Sequence, residues 1–478
     1  MGHSILIALV LALVAPATAS AATQRVAATS VERGSATFRL TGVSSTSIEA
    51  ARLSSGRSTK RLPLSLVRRA ARRGVLRVRT GRVMRAWLLL TIRGSSENKA
   101  VTPTPAPEQT AKPSAPPSTP STPPSDPGTP PSESGTPPPD PPGEHIPAGA
   151  KFVSPAGSDS GSGAESQPWR TLGHALSATR PGETVVLRAG TYGAMGTTTQ
   201  VGLSGTAAAP ITLMGHPDDP KPTIQGYVRI TGSHLRLSRI LFDGPTGRVL
   251  PVSSSNPNGE EVQVSVMYGS DVEIRASEIR DNAWHAGIFV ADAADVRLVG
   301  NYVHDNGDRS QPSQANLDHG IYWGSGSGEV ANNLIGDNLA YGVHLYPEAA
   351  GVVVRHNTIV GNDRGGVIVA ENAAHNRIVN NVVAFNALSG IKAYALSGAG
   401  NVAEGNVVWS NGSRNFEGSG MQLSANVEAN PRFAAGLDYH LTTGSPAIDR
   451  ALEGYRVATD YERRSRTGAA DVGAYEAG

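Results

Sequence analysis

Between about residue 270 and residue 411 the chain sets short apolar triplets among Asn, Asp and Gly, and the pattern returns every 24 residues. Asn357-Thr358-Ile359-Val360-Gly361-Asn362 recurs as Asn381-Val382-Val383-Ala384-Phe385-Asn386. Asn333 lies 24 residues upstream of Asn357, and Asn406-Val407-Val408-Trp409-Ser410-Asn411 lies 25 downstream of Asn381. Asn301 to Asn306 and Ser277 to Asn282 extend the series toward the N-terminus. A glycine-led column follows each unit: Gly287-Ile288-Phe289-Val290, Gly320-Ile321-Tyr322-Trp323, Gly342-Val343-His344-Leu345, Gly366-Val367-Ile368-Val369 and Gly390-Ile391-Lys392-Ala393. A third, connecting stretch precedes each asparagine: Val272-Glu273-Ile274, Val296-Arg297-Leu298, Val352-Val353-Val354 and Arg377-Ile378-Val379.

Segments this short, with period-two alternation, are strands. Three strands per repeat of about 24 residues predict a parallel β-helix, in which each coil buries its apolar face by stacking on its neighbours. The recurring asparagines then stand at one corner of successive coils. There their amides can bond up and down the axis, and Asn tolerates the left-handed backbone of a tight corner. Asn301, Asn333, Asn357, Asn381 and Asn406 are therefore read as structural.

Upstream, residues 151–192 read as a strand (Phe152-Val153), a short helix with Leu172, Ala175 and Leu176 on one side, a Pro181-Gly182 turn and the buried strand Thr184-Val185-Val186-Leu187. This arrangement resembles the N-terminal cap of secreted right-handed β-helix proteins of the pectate-lyase-like superfamily. A cap is physically required, because an open solenoid end exposes core and strand edges. Asn430-Pro431-Arg432-Phe433, Asp438-Tyr439-His440-Leu441 and Asp471-Val472-Gly473-Ala474-Tyr475-Glu476 resemble the C-terminal segment of the same proteins, expected to close the other end. The resemblance covers roughly residues 150–478 and implies an all-β, right-handed parallel β-helix. It does not single out an activity, since the group holds lyases, epimerases, hydrolases and adhesins. The Asp-Pro-His motif of mannuronan epimerases is absent.

The remaining chain divides in three. Residues 1–22 read as a secretory signal: Ile5 to Ala15 is apolar, and Ala17-Thr18-Ala19 and Ala19-Ser20-Ala21 fit small-residue cleavage, although Met1 to Ser4 carries no Lys or Arg. Residues 24–95 form a small basic module, with thirteen Lys or Arg and no Asp or Glu between Ala51 and Arg93. Ser35 to Gly42 and Ala86 to Gly94 read as strands, and Pro63 to Arg73 as a short helix. The charge suits an anionic cell-surface polymer, or simply a solvated face. Residues 98–147 are a Pro/Ser/Thr-rich linker holding 18 of the 34 prolines, unable to bury a core.

Composition narrows the picture. With 39% hydrophobic and 5% aromatic residues and no cysteine, the chain must be held by repeat packing and hydrogen-bonded ladders, without disulfides. Net charge of +2 indicates no nucleic-acid partner, and no 18-residue apolar stretch indicates a membrane span. A secreted monomer is expected.

The period breaks once. Asn301 to Asn333 spans 32 residues, and the excess lies between Asn306 and Gly320, around Asp308, Arg309, Asn316, Asp318 and His319. Solenoids take insertions in loops, often on the binding face. Alternation turns Ile288, Ile321, Val343, Val367 and Ile391 inward and Phe289, Tyr322, His344, Ile368 and Lys392 outward, with Tyr346 and Tyr394 outward two residues on. Coils stack about 4.8 Å apart, so Tyr322 should adjoin His344, and Lys392 should lie two coils beyond. His285, Asp318 and Arg364 fall at the corner leading onto this face. His319 shares the inward parity of Ile321 and is either a buried histidine bonded to Asp318 or a supporting catalytic pair with it.

An outward surface of this kind suits an extended acidic polysaccharide. Tyr rings can stack on sugars, and Arg or Lys can neutralise a uronate carboxylate, acidifying its α-proton. A His, Tyr or Lys can then take that proton while another group protonates the leaving oxygen. The expected assignment is His344 as base, Tyr322 or Tyr346 as acid, and Arg364 or Lys392 as neutraliser, with His319 and Asp318 in support. Tyr346, Tyr394, His285 and Arg309 would contact substrate. Such β-elimination is what the resemblance implies for lyases on this fold. One alternative is a non-catalytic glycan-binding or adhesion surface. Another is a glycoside hydrolase using two of Asp318, Glu348 and Glu371. No cofactor is required, although His304, Asp305, Asp308 and Asp318 offer ligand atoms for Ca2+ without a spaced calcium loop.

Overall fold

The structure, a computed structural model, describes residues 145–244, 262–283, 285–308, 317–434 and 438–477 with their side chains, and the backbone of strands between residues 21 and 93. Residues 1–20 of the leader, the expected helix at Pro63 to Arg73, nearly all of the linker, and Arg309 and Asn316 of the insertion lie outside the described residues. The chain divides into two units, residues 1–122 and 123–478.

In the first unit Ala21–Ala27, Ala86–Arg93, Ile48–Ser55 and Ser58–Arg61 form a four-stranded sheet in that order, and Ser30–Glu32, Ser35–Arg39 and Val75–Arg79 form a three-stranded one. Neighbouring strands run antiparallel. Both strands expected near Ser35 and Ala86 are present.

The second unit is the solenoid, a single sheet of 26 strands in which each strand pairs in parallel with its counterpart one coil away. The glycine-led column runs through Val264–Met267, Ile288–Ala291, the start of Ile321–Ala331, Tyr341–Ala349, Gly365–Val369, Ser389–Ala393 and Arg414–Glu417. The connecting column includes Val272–Arg275, Ala293–Val299, Val353–Arg355 and Arg377–Val379. The asparagine-bounded column includes Glu278–Arg280, Tyr302–His304, Leu334–Gly336, Thr358–Val360, Val382–Ala384 and Val407–Trp409. Inward residues of all columns merge into one narrow core. Ile321, Val343, Leu298, Val354, Val303 and Ile359 are fully buried there, as is the large ring of Trp323. Each such aliphatic side chain stabilises by about 1.5–3 kcal/mol, so a modest apolar content suffices when every coil repeats it.

The asparagines form the expected ladder. Asn301 Nδ2 donates to Asn333 Oδ1 at 3.0 Å, Asn333 to Asn357 at 2.9 Å, Asn357 to Asn381 at 2.9 Å and Asn381 to Asn406 at 3.0 Å. The other end of each triplet carries a second ladder, Asn306, Asn338, Asn362, Asn386 and Asn411. The 32-residue step from Asn301 to Asn333 keeps its ladder bond and its strand register. One expectation is corrected. The left-handed residues are those just before the ladder, such as Asn332, His356 and Asn380 with φ of 55°, 51° and 56°. The corner is turned one residue early, which leaves each ladder asparagine free to aim its amide along the axis.

The N-terminal helix is Leu172–Ala178, capped by the Thr171 side chain, with Leu172 and Ala175 buried in the solenoid core. The C-terminal segment is a correction. Expected to close the far end, it instead packs along the outer face of the asparagine-bounded column. Tyr439, Tyr461, Ala474 and Tyr475 lie on Tyr302, Leu334, Val360 and Ala384, and Ala447 and Val472 on Val382 and Val407. Ala474 N–H donates to Thr358 Oγ1 at 3.1 Å, and the buried Arg466 guanidinium donates to Glu476 at 2.9 Å and to Asn332 at 3.1 Å. As expected, its Arg and acidic residues pin loops. Among the described residues no helix is long and apolar enough to cross a membrane.

Candidate functional site

The outward side chains of the glycine-led column assemble as alternation requires. Tyr322 pairs in register with His344, then come Ile368 and Lys392 on the next two coils. The Tyr322 and His344 rings stack with centroids 5.3 Å apart, and Tyr346 lies 5.2 Å from His344 and 6.3 Å from Tyr322. Phe289, one coil before, adjoins Tyr322 at 5.1 Å. The result is a continuous half-buried ribbon of rings across three adjacent coils.

His319 forms its inner wall. It is fully buried, and its ring meets Tyr322, Tyr341 and His344 at 5.4, 5.6 and 4.5 Å. Its Nε2 lies 2.9 Å from His344 Nδ1, while its Nδ1 accepts from the Tyr341 backbone N–H at 3.4 Å. The anticipated His319–Asp318 bond does not form. Consecutive residues point to opposite sides, so Asp318 turns to the corner, where its Oδ1 accepts from the His285 backbone N–H at 2.9 Å. Asp318 Oδ2 is buried with no hydrogen-bond partner. Tyr341, not singled out from sequence because it stands at the corner before its Gly, is the neighbour that seats His319. Arg364 lies within electrostatic reach of the Tyr341 phenol, Asp318 and His319.

Burial sets the protonation states. It pushes the His344 pKa down to about 3. His319 is held well below its ordinary range by burial, with His344, His285 and Arg364 adding repulsion. Burial raises the Tyr322 phenol, helped by Tyr346 and Glu371. Asp318 is pushed up to about 7 by burial, against the bonds it accepts from backbone N–H groups. Around neutral pH His344, His319 and Tyr322 are therefore uncharged, and Arg364 stands at their edge.

The other expected residues are dispersed. Lys392 Nζ is 2.7 Å from Glu417 Oε1 and 4.8 Å above the Tyr394 ring. Burial disfavours its charge, but the Glu417 bond outweighs this and raises its pKa. Lys392 thus belongs to a pair one coil further on, and Ile368, outward yet only 2% exposed, fills the gap to His344. Tyr394 is exposed, at 47%. His285 sits at the corner in left-handed backbone, φ 62°. The hydrolase candidates flank the column from opposite ends: Asp318 precedes the strand Ile321–Ala331, while Glu348 and Glu371 lie at the trailing ends of the following coils. Of the calcium candidates, His304 bonds Asp305 at 2.7 Å and Glu278 at 3.3 Å on the asparagine-bounded column, away from Asp318. Among the described residues no group of three or more His, Cys, Asp or Glu is placed to hold a metal ion.

A family-model match agrees with this architecture. The family model "Right handed beta helix region" matches residues 252–383, and "Protein of unknown function (DUF1565)" matches residues 155–202. The uncharacterized protein YwoF of Bacillus subtilis (strain 168) is 33% identical over 140 residues, covering 27% of this chain and 28% of that protein. Among solved structures, the pectate lyase Pel9A overlaps 68% of this chain and 96% of its own at 15% identity and a TM-score of 0.46. An alginate lyase from Paenibacillus sp. str. FPU-7 overlaps 54% of this chain and 94% of its own, at 17% identity and a TM-score of 0.40. The parallel three-column sheet and the matched coils together make this chain a right-handed parallel β-helix protein.

Proposed function

We propose that the ribbon of Tyr322, His344 and Tyr346 binds an extended, uronate-containing polysaccharide and cleaves it by β-elimination. The observation that carries this reading is the convergence of two phenols and an imidazole on one outward face, with Arg364 at its edge. Arg364 would face the uronate carboxylate and acidify the α-proton. Loss of that proton forms the carbon–carbon double bond as the glycosidic carbon–oxygen bond breaks, and the leaving oxygen takes a proton. Tyr322, kept protonated by burial, is the donor to that oxygen. His344, or Tyr346 in its phenolate form, would take the α-proton. Calcium is not required by this scheme. The apolar leader-like segment Ile5 to Ala15 would export the chain, and the basic module would hold it to an anionic surface polymer.

A second reading, glycan binding without cleavage, is favoured by one observation: burial leaves neither His344 nor Tyr322 titrating near neutrality, whereas an efficient base is tuned to the working pH. The two separate on one measurement. Purified full chain is incubated with pectate, alginate and glycosaminoglycans, and ultraviolet absorbance of unsaturated uronate is followed. A rise that disappears in Tyr322→Phe and Tyr346→Phe establishes the lyase. Retention of one of these glycans without any rise establishes the binding protein, and neither result would remove both readings.

A further inference from the structure

We infer that His319 is a positioning residue that fixes the proton of His344 on Nε2, so that His344 meets its ligand as a hydrogen-bond donor and not as a base. The assignment follows from one group whose role is not negotiable. The Tyr341 backbone N–H can only donate, and it points at His319 Nδ1, 3.4 Å away. His319 Nδ1 therefore carries no proton. A neutral imidazole holds one proton, so it sits on Nε2 and is donated across 2.9 Å to His344 Nδ1. His344 Nδ1 is then the acceptor, and the single proton of neutral His344 is on Nε2. A third proton on the pair would have to sit on His319 Nδ1, against the Tyr341 N–H.

The surroundings hold the pair neutral. His319 is fully buried, with the rings of Tyr322, Tyr341 and His344 around it, and Arg364 and His285 oppose positive charge there. For His344 Nε2 to take a proton from a sugar, its own proton would have to stand on Nδ1 facing the proton of His319. The tautomer needed for a base is thus blocked by a chain that ends in the backbone. Resting on the glycan reading above, the ligand of this donor is an oxygen of the uronate carboxylate, and the α-proton would pass to Tyr346 in its phenolate form, which becomes a phenol.

The test starts without any glycan. Full chain is labelled with 15N-histidine, and long-range proton–nitrogen spectra, which report the tautomer of each ring, are recorded at pH 7. His319→Gln and His344→Gln identify the two rings among the 12 histidines. The expected result is a protonated Nε2 and a bare Nδ1 on both. In His319→Leu the preference of His344 should relax to a mixture, while His319→Gln, whose amide N–H can replace the donor, should keep it. A protonated Nδ1 on His344 would overturn the inference, whatever the glycans do. Affinity for a galacturonate oligomer then tests the role: His344→Gln keeps an N–H donor and should bind within about threefold of the natural chain, while His344→Ala should lose about tenfold or more. Equal losses in both would overturn the donor role. If no uronate oligomer binds even the natural chain, the glycan reading falls, and the spectra still decide the tautomer.

Discussion

The asparagine-bounded column and the glycine-led column expose their outward side chains on two sides of one solenoid, with the same strand spacing and the same inward Ile and Val rows. On the first, Tyr302, Leu334, Val360 and Ala384 lie under the C-terminal segment, packed on Tyr439, Tyr461 and Tyr475. On the second, Tyr322, His344 and Tyr346 stay partly open and pack on one another. The difference teaches what an outward position on a solenoid is for. Apolar residues there need a cover, and polar rings there form a surface that a ligand can reach. Upstream of the covered coils, Glu278–Arg280 alternates polar and apolar, and its charged side chains pair with one another.

The strongest way to break the comparison is to release the cover. Arg466→Met removes the buried guanidinium that joins Glu476 to Asn332. Leaving the Glu476 carboxylate without its guanidinium, held only by the Asp471 backbone N–H, should cost about 3–5 kcal/mol, read as a lower urea midpoint with new dye-binding apolar surface. A loss under about 1 kcal/mol would mean the segment is held by its aromatics alone. Next in size is the ladder beside the covered column. Asn357→Ala strips the acceptor from both the Asn333 side-chain amide and its backbone N–H. Two unsatisfied buried donors should cost about 2–4 kcal/mol in chemical denaturation, without touching glycan retention.

Acid should weaken both faces together. His344 on the open face and His356 beside the cover are each depressed to about 3 by burial, and His319 lies well below its ordinary value. A depressed histidine pKa means the unfolded chain binds more protons, so stability rises with pH between about 3 and the ordinary 6.5 and is lost as pH falls through that window. Asp318, raised to about 7, acts in the opposite sense: the folded chain holds its proton, so its contribution is lost as pH rises from 3.8 toward 7. His304, whose pKa its bonds to Asp305 and Glu278 raise against burial, acts with Asp318, while carboxyls held low such as Asp219 act with the three histidines; the net is a fall in melting temperature on acidification, and His344→Gln should flatten it. The smallest stability effect belongs to the open face itself. Tyr394, 47% exposed, should tolerate Ala within about 0.5 kcal/mol, while glycan retention on an affinity gel weakens severalfold.

Much of this was legible before any coordinates. The 24-residue period, the three columns, the ladder asparagines, the inward rows and the adjacency of Tyr322 to His344 all follow from alternation and stacking. The covered face had a readable signal as well. Leu334-Ile335, Thr358-Ile359-Val360, Val382-Val383-Ala384 and Val407-Val408-Trp409 are apolar on both sides of the strand, the mark of a sheet buried on both faces. By contrast, nothing in the spacing shows that Lys392 is taken by Glu417, or that Asp318 turns to the His285 backbone and leaves His319 to His344.

The sequence by itself determined the solenoid and the order of residues along its outward rows, because each coil interacts mainly with the coils above and below it, and that one-dimensional stacking is written as a period. Only the tertiary structure decided which face the C-terminal segment covers, which carboxylate holds Lys392, and which nitrogen of His344 bears the proton. Those outcomes depend on competition among partners that meet across corners and from distant parts of the chain, and on burial that no local pattern encodes.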